Sequence, residues 1–221
     1  MTSGSSFPQR LTKIDALTLP DHSHLAASDE CYFLGEYTAR RGFSFSATNN
    51  LVLNFKKAMS LRGQPQWKWK GVAIAQAAEA FAAALRAQWL DIATLVPIPP
   101  SKARNDPLHD DRVMRMLRQI RPNGPLDIRE LIVQSQSTAA AHELQSRPGP
   151  DDIFQHYHFS AARMQPRPQV IGIFDDVLTT GAHFKAAQLL LRSQFPDTKI
   201  IGFFVARRIP DTADPEEFDF V

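Results

Sequence analysis

The sequence predicts an α/β protein in which helices flank a mostly parallel sheet. Two fully apolar runs, 170–174 and 199–206, have the length and composition of strands that are buried on both faces. Between them, apolar residues recur at helical spacing over 182–191. A strand, a helix and a second strand of these lengths form a parallel crossover unit.

The residues before this unit continue the alternation of helix and strand. Apolar side chains at spacings of three and four predict one helix over 71–89 and another over 108–120. Between these helices, the apolar run 93–98 predicts a strand, which Pro99 and Pro100 end. This order of elements favours a layered α/β domain.

The N-terminal quarter has a different character. Residues 1–30 are polar and are predicted to form an irregular arm. Aromatic and β-branched residues over 31–55, interrupted by glycines and asparagines, predict short strands or hairpins.

Composition narrows the class of protein. The chain has 221 residues, 43% of them hydrophobic, and a formal net charge of +2, so a nucleic-acid partner is not indicated. The single cysteine, Cys31, excludes an internal disulfide and is predicted to be a small buried residue. No run approaches the ~18 apolar residues of a membrane span and no signal peptide is evident, so a cytoplasmic location is expected.

The segment I-G-I-F-D-D-V-L-T-T-G-A-H, residues 171–183, is the clearest candidate for a functional site. A buried strand brings Asp175 and Asp176 to its carboxyl end, the edge where ligands bind in parallel sheets. Two threonines and Gly181 then lead directly into a helix, whose free amides and dipole favour a phosphate. Carboxylates repel phosphate and suit sugar hydroxyls or a magnesium ion beside it. A ribose 5-phosphate combines these features.

Residues 171–181 resemble the phosphoribosyl-pyrophosphate signature of type I phosphoribosyltransferases, which has four apolar residues, an acidic pair, two apolar residues, two hydroxyl residues and a glycine. The resemblance implies that Asp175 and Asp176 bind the ribose and, through the ribose or water, Mg²⁺. It assigns the 5-phosphate to Val177, Leu178, Thr179, Thr180, Gly181 and His183. His183 departs from the pattern because many members have a hydroxyl residue there.

A transferase of this family also needs a site for pyrophosphate. The segment L-V-P-I-P-P-S-K-A-R, residues 95–104, is similar to the P-V-P segment of the ComF-like and amidophosphoribosyltransferase-like members. The resemblance implies that Ser101, Lys102 and Arg104 contact pyrophosphate, with Lys102 as a point charge and Arg104 as a fork. The alternative is a proline-ended strand followed by solvated cations.

Family members close a flexible loop over the reaction. Two stretches match the location of such a loop: 105–112, with Arg112 as the candidate, and 134–147, with His142 and Arg147. The neighbouring pair Asp110–Asp111 is predicted to be the solvated start of a helix.

The resemblance also divides the chain. It implies a hood-like subdomain over 31–70 beside an α/β core over 71–221. The hood's aromatic residues either stack on an acceptor or form the hood's own core. Lys56 and Lys57 within it are predicted to be surface charges. The cysteine-rich zinc module of ComF-like proteins is absent, because Cys31 is the only cysteine.

The function implied is transfer of a phosphoribosyl group to a nitrogen acceptor. The partners would be phosphoribosyl pyrophosphate or a nucleoside monophosphate, with Mg²⁺ as cofactor and an acceptor that no residue identifies. Many relatives form homodimers, but no residue of this sequence indicates the oligomeric state. Two alternatives remain open: a non-catalytic regulator that senses nucleotides or phosphoribosyl pyrophosphate, and a DNA-uptake accessory protein like the ComF group.

Overall fold

The computed structural model of the protein describes residues 6–138 and 148–210. The strands are β1 (Thr12–Lys13), β2 (Cys31–Thr38), β3 (Ala93–Pro97), β4 (Asp127–Ile128), β5 (Ile132–Gln134), β6 (Tyr157–Phe159), β7 (Val170–Leu178) and β8 (Lys199–Ile209). The helices are α1 (Ala47–Phe55), α2 (Lys68–Ala84), α3 (Ala87–Ile92), α4 (Arg112–Ile120), α5 (Pro150–Phe154) and α6 (Ala182–Gln194). Short 3₁₀ turns occupy Leu19–Asp21, Met59–Leu61, Pro65–Trp67 and Ala161–Arg163.

Within those ranges, six strands form one sheet in the order β1-β2-β8-β7-β3-β4, and β5 pairs with β6 in a separate antiparallel ribbon. The neighbours from β2 to β4 are all parallel, and only β1 at the edge is antiparallel. The predicted α/β class with a mostly parallel, helix-flanked sheet is therefore confirmed. No helix in the described part of the chain is both long and apolar enough to cross a membrane.

Alternate residues of the central strands enter two cores, one on each face of the sheet. Phe174 and Phe203 stack with ring centroids 4.9 Å apart on the face that α1, α2 and α4 cover. Ile173 and Phe204 point into the other core, against α6. This period of two explains why the apolar runs of β7 and β8 are continuous: both faces of these strands are covered.

The unit β7–α6–β8 has the predicted order, and each element begins where it was predicted to begin. The predicted end of the first strand at 174 is wrong, because β7 continues to Leu178 and residues 175–178 are strand and not turn. The single helix predicted over 71–89 is wrong, because the chain breaks into α2 and α3. Leu85 and Arg86 adopt extended backbone, with ψ of 131° and 137°. The break turns Trp89 under the sheet, where its ring meets Phe203 edge-on at 5.0 Å. Tertiary packing of one large aromatic residue thus overrides helical periodicity.

The prediction of strands or hairpins over 31–55 is correct only for its beginning. Residues 31–38 form β2, which pairs in parallel with β8 inside the main sheet. Residues 47–55 form helix α1 instead of a strand. Ser46 begins it, since its hydroxyl accepts from the Asn49 backbone N–H at 3.0 Å, and Leu51, Val52 and Phe55 are buried. N-capping and a helical burial pattern outweigh the β-branched and aromatic composition.

The predicted arm, 1–30, has little regular structure in its described part, residues 6–30, but it lies against the sheet. Thr12 and Lys13 extend the sheet by pairing with β2. Cys31 at the start of β2 is fully buried, as predicted, and burial raises the pKa of its thiol. Of the predicted hood, 31–70, the part after β2 connects the carboxyl end of that strand to α2.

Candidate functional site

The predicted phosphate loop lies at the carboxyl end of β7. The strand ends at Leu178, and Thr179, Thr180 and Gly181 connect it to α6. Gly181 has φ of +88°, a left-handed conformation that glycine adopts without steric cost. The loop therefore delivers the backbone directly into the N-terminus of a helix, the arrangement that binds anions.

A pocket of about 240 Å³ opens beside this loop. It brings together residues that are distant in the sequence, from the ends of β3 and β7 and the starts of α4 and α6. Its wall is formed by Lys56, Ile98, Pro99, Pro100, Ser101, Asp110, Arg112, Val113, Asp175, Asp176, Val177, Thr179 and His183.

Asp176 is the buried anion of this pocket, with only 6% of its surface exposed. Arg112 donates to its Oδ2 through Nε at 2.9 Å and also through Nη2. Lys56 Nζ lies 3.5 Å from Oδ1, which also accepts from the Val177 backbone N–H at 2.6 Å. Burial acts to raise the pKa of Asp176, but the charges of Lys56 and Arg112 outweigh it and lower the pKa below its ordinary value.

Asp175 is shifted in the opposite direction. Its Oδ1 accepts from the Asp176 backbone N–H at 2.7 Å, and its carboxyl group is largely buried beside the Asp176 charge. Burial and that like charge raise the pKa of Asp175 to about 7. At neutral pH the pair therefore combines one fixed carboxylate with one carboxyl that can either donate or accept a hydrogen bond.

A charged network behind Asp176 was not predicted. Lys70 is fully buried, and its Nζ donates to the carbonyl oxygens of Phe55 and Lys57 at 2.8 and 2.9 Å. It also donates to Asp110 Oδ2 at 2.7 Å, and the same oxygen accepts from Arg112 Nη1 at 2.7 Å. The prediction that Asp110 is a solvated helix start is therefore wrong: it is 9% exposed and joins two cations.

One sequence signal could have revealed Lys70. It lies four and seven residues before Ile74 and Ala77, which are buried residues of the same helix face. A lysine at a core position of an amphipathic helix indicates a buried partner, since an unpaired buried ammonium is costly. The identity of that partner, 40 residues away, has no local signal.

The predicted pyrophosphate residues are divided. Ser101 lines the pocket with Asp175 and Asp176. Lys102 and Arg104 do not line it; they face a separate cavity of about 60 Å³. Lys102 Nζ donates to the Thr138 carbonyl at 3.0 Å, and Arg104 forms an ion pair with Glu130.

Their direction follows from how the chain turns after Pro100. The Ala103 N–H donates to Ser137 Oγ at 3.0 Å, and the Ser101 carbonyl accepts from the Thr138 N–H at 2.8 Å. These bonds hold 101–103 against 137–138. Lys102 and Arg104 therefore point away from the pocket that Ser101 lines, and each has a protein oxygen as partner; their contact with pyrophosphate stays a prediction.

His183, the residue at which the loop departs from the family pattern, lies in the first turn of α6 and lines the pocket. Its Nδ1 lies 2.8 Å from the Tyr157 hydroxyl, and burial lowers the pKa of the imidazole to about 4. The ring is therefore neutral at pH 7. With the hydroxyl as donor to Nδ1, the Nε2–H remains a donor for a ligand.

The remaining predicted residues are the loop candidates and Lys56, and of these Arg112 and Lys56 also line the pocket. Arg112, a loop candidate, begins α4 and holds Asp176. His142 and Arg147 lie outside the described residues. Lys56 follows α1 and is exposed, as predicted for a surface charge, and its Nζ also reaches Asp176, so it belongs to the site.

The donor set can be compared with the needs of Mg²⁺. Within the described ranges, no three His, Cys, Asp or Glu side chains cluster to hold a metal ion. Asp110, Asp175 and Asp176 line the pocket, but Asp110 Oδ2 already accepts from Lys70 and Arg112, so Asp175 and Asp176 are the carboxylates next to the loop. Mg²⁺ commonly takes one or two carboxylates and completes its octahedron with water and substrate oxygens. The residues present therefore fit a Mg²⁺ ion that takes most of its oxygen ligands from a bound substrate and from water.

Compared with protein-family models and with curated proteins, the sequence shows no match.

Proposed function

We propose that this chain binds phosphoribosyl pyrophosphate and ribose 5-phosphate with Mg²⁺ and transfers the phosphoribosyl group to a nitrogen acceptor, like the type I phosphoribosyltransferases that its loop resembles. The observation that carries the proposal is the placement of Asp175 and Asp176 in the last four residues of β7, two residues before a glycine-ended loop that opens a helix. Carboxylates that accept hydrogen bonds from hydroxyl groups therefore lie close to backbone amides that bind phosphate, and a sugar phosphate requires both.

In this proposal the loop amides and the α6 dipole bind the 5-phosphate, together with the hydroxyl of Thr179 and the Nε2–H of His183. Asp176, fixed by Arg112, accepts from one ribose hydroxyl. Asp175, which is half-ionised near pH 7, exchanges a hydrogen bond with a second hydroxyl or with water. The two carboxyl groups thereby select a ribose over a bare phosphate.

The reaction forms a bond from C1 of the ribose to the acceptor nitrogen and breaks the bond from C1 to pyrophosphate, and the nitrogen then loses a proton. The chain contributes orientation and charge: the pocket fixes the ribose, and Ser101 approaches the side from which pyrophosphate leaves. Bound Mg²⁺ would neutralise charge on the leaving pyrophosphate.

A second candidate function, binding without transfer, is favoured by one observation. The cations Lys102 and Arg104, which a transferase would direct to pyrophosphate, are engaged by Thr138 and Glu130 outside the pocket. A regulator that senses ribose phosphates would need the 175–181 loop but not these cations.

Calorimetric titration tests binding. Phosphoribosyl pyrophosphate with Mg²⁺ is expected to bind the wild type, and Asp176→Asn is expected to weaken binding by about 30-fold, the value of one charged hydrogen bond of ~2 kcal/mol. Asp197→Asn is the matched control, because that carboxylate is 92% exposed. Absence of binding by the wild type, or equal binding by Asp176→Asn, would contradict the proposal.

Turnover separates the two candidates. Release of pyrophosphate is measured with a panel of purines, pyrimidines, amines and ammonia as acceptors. Release that depends on one acceptor supports transfer. Tight binding without release across the panel supports the sensing function.

A further inference from the structure

The segment 22–29 of the N-terminal arm lies directly behind the phosphate loop. His22 is fully buried, and its Nδ1 is hydrogen-bonded to the Thr179 carbonyl oxygen. Two residues later, the His24 backbone N–H donates to the Thr180 carbonyl oxygen at 2.8 Å. Consecutive carbonyls of the loop are therefore held by one short stretch of the arm.

These bonds determine where the loop amides point. A peptide unit is planar and trans, so its C=O and the N–H that follows point in opposite directions. When the Thr179 and Thr180 carbonyls face the arm, the N–H groups of Thr180 and Gly181 face away from it. These two N–H groups belong to the loop and helix start that would receive an anion.

The same segment restrains the end of the loop and the start of α6. A Cβ built on Gly181 would lie 2.7 Å from Leu25 Cδ2, so the Leu25 side chain rests on the glycine. Asp29, which is 7% exposed, accepts from Lys185 Nζ at 2.9 and 2.8 Å in the first turns of α6. The arm therefore contacts the loop and the helix that follows it.

The arm is itself fixed independently of the loop. Arg207, near the end of β8, donates to Asp21 Oδ2 at 2.8 Å and to Glu36 of β2. The Leu25 N–H donates to the His22 carbonyl at 2.8 Å, which closes a turn around His24. A rigid support of this kind keeps a binding loop in its productive geometry before ligand arrives.

We propose that His22 is a positioning residue for the phosphate subsite, orienting the amides of Thr180 and Gly181 through its bond to the Thr179 carbonyl. The ligand in this inference rests on the proposed function; the orientation of the amides does not. Because a carbonyl only accepts, the bond requires a proton on Nδ1. Burial lowers the pKa of His22 and so favours the neutral ring, and the Thr179 carbonyl selects the tautomer with the proton on Nδ1.

The test compares His22→Leu, which removes the donor, with His22→Asn, whose side-chain amide nitrogen replaces Nδ1. Amide signals and hydrogen exchange of Thr180 and Gly181 are first measured by NMR without ligand. His22→Leu is expected to shift both signals and to accelerate their exchange, whereas His22→Asn keeps them close to the wild type. Unchanged signals in His22→Leu would overturn the inference.

Affinity for ribose 5-phosphate is then measured by calorimetry. His22→Leu is expected to bind about tenfold more weakly than the wild type, because the amides of Thr180 and Gly181 lose their orientation. His22→Asn keeps that orientation and is expected to bind within about threefold of the wild type. A loss of affinity that asparagine does not restore would also count against the inference. Failure of the wild type to bind, with the NMR changes present, contradicts the proposed function alone.

Leu25→Ala provides a second variant in case His22→Leu does not fold. It removes the contact with Gly181 while every hydrogen bond of the loop is kept. Faster exchange of the Gly181 amide and an affinity about threefold lower are expected, as for a modest loss of preorganisation. An unchanged exchange rate in this variant would contradict the role of the arm.

Discussion

Arg112 and Asp176 are joined twice through one oxygen: Nε of Arg112 lies 2.9 Å from Oδ2 of Asp176, and Nη2 donates to the same atom. The other carboxylate oxygen faces Lys56 and the Val177 N–H. Asp176 is therefore a fixed anion before any ligand arrives. Its partner Arg112 is in turn held by Asp110, so the orientation of the site depends on a network that extends to Lys70.

Arg112→Gln is expected to lower the free energy of unfolding by about 3 kcal/mol at pH 7, because it leaves two buried carboxylates without their shared cation. The pKa of Asp176 should rise towards its ordinary value. A lowered pKa contributes stability that is present above the unfolded-state pKa and is lost as the pH falls. The deficit of the variant should therefore be larger at pH 7 than at pH 3.

Urea denaturation at the two pH values measures this difference. Arg118→Gln, an exposed position on the same helix, is the control and should match the wild type. A deficit independent of pH would show that packing, and not the ion pair, is what Arg112 contributes.

Lys70→Met is expected to destabilise the protein by about 3–5 kcal/mol, since Asp110 and two carbonyl oxygens lose their buried donor. Combining it with Asp110→Asn should cost less than the sum of the single changes, with a coupling of about 1–3 kcal/mol. The four proteins are compared by urea denaturation, with Lys68→Met as the exposed control. Strict additivity would mean that the 2.7 Å contact between Lys70 and Asp110 contributes no stability.

Asp175→Asn is expected to stabilise the protein at neutral pH and not at pH 4. The pKa of Asp175 is raised from 3.8 to about 7 in the folded state. Between those values the native state binds the proton that the unfolded state has lost, so the contribution of Asp175 to stability falls as the pH rises. At ~1.4 kcal/mol per pKa unit, the gain of the variant should approach roughly 4 kcal/mol above pH 7.

Denaturation midpoints between pH 4 and 8 test this, with Asp197→Asn as the exposed carboxylate control. The difference from the wild type should grow through this range and level off near pH 7. A constant difference would contradict the raised pKa of Asp175.

Gly181→Ala is expected to destabilise the protein by about 1–3 kcal/mol because it combines a left-handed backbone with a clash against Leu25. In the Leu25→Ala background the clash is absent, so Gly181→Ala should cost only about 1 kcal/mol, which is the penalty of the left-handed backbone. Gly42→Ala is the control, because a Cβ there would meet nothing within 4 Å. Thermal unfolding of the wild type, the two single variants and the double variant provides the comparison. If Gly181→Ala costs as much stability in the Leu25→Ala background as in the wild type, the Leu25 side chain moves aside without an energetic penalty.

The part of the fold that could be predicted is the part that depends on neighbouring residues. The unit β7–α6–β8 follows from two apolar runs and one helical face, and Asp175 and Asp176 follow from their place at the end of the first run. The loop and its glycine were predicted for the same reason. Local patterns specify such elements without knowledge of what packs against them.

The rest depends on contacts between distant segments. Nothing near residues 85–86 predicts the break before Trp89, because its cause is the ring of Phe203. Likewise, the directions of Lys102 and Arg104 depend on Thr138 and Glu130, which attract them away from the pocket. The position of this break and the directions of these two side chains are set by tertiary contacts, which composition and periodicity do not reveal.

The strand order has a consequence for the time course of folding on the ribosome. In the sheet, β8 lies between β2 and β7, although it is made last of the three. When β2 has been synthesised, its parallel neighbour, which begins at Lys199, does not yet exist. In the growing chain, one edge of β2 and one edge of β7 therefore stay unpaired until β8 has been synthesised. We expect the sheet to form slowly for this reason, with its unpaired strand edges protected by chaperones.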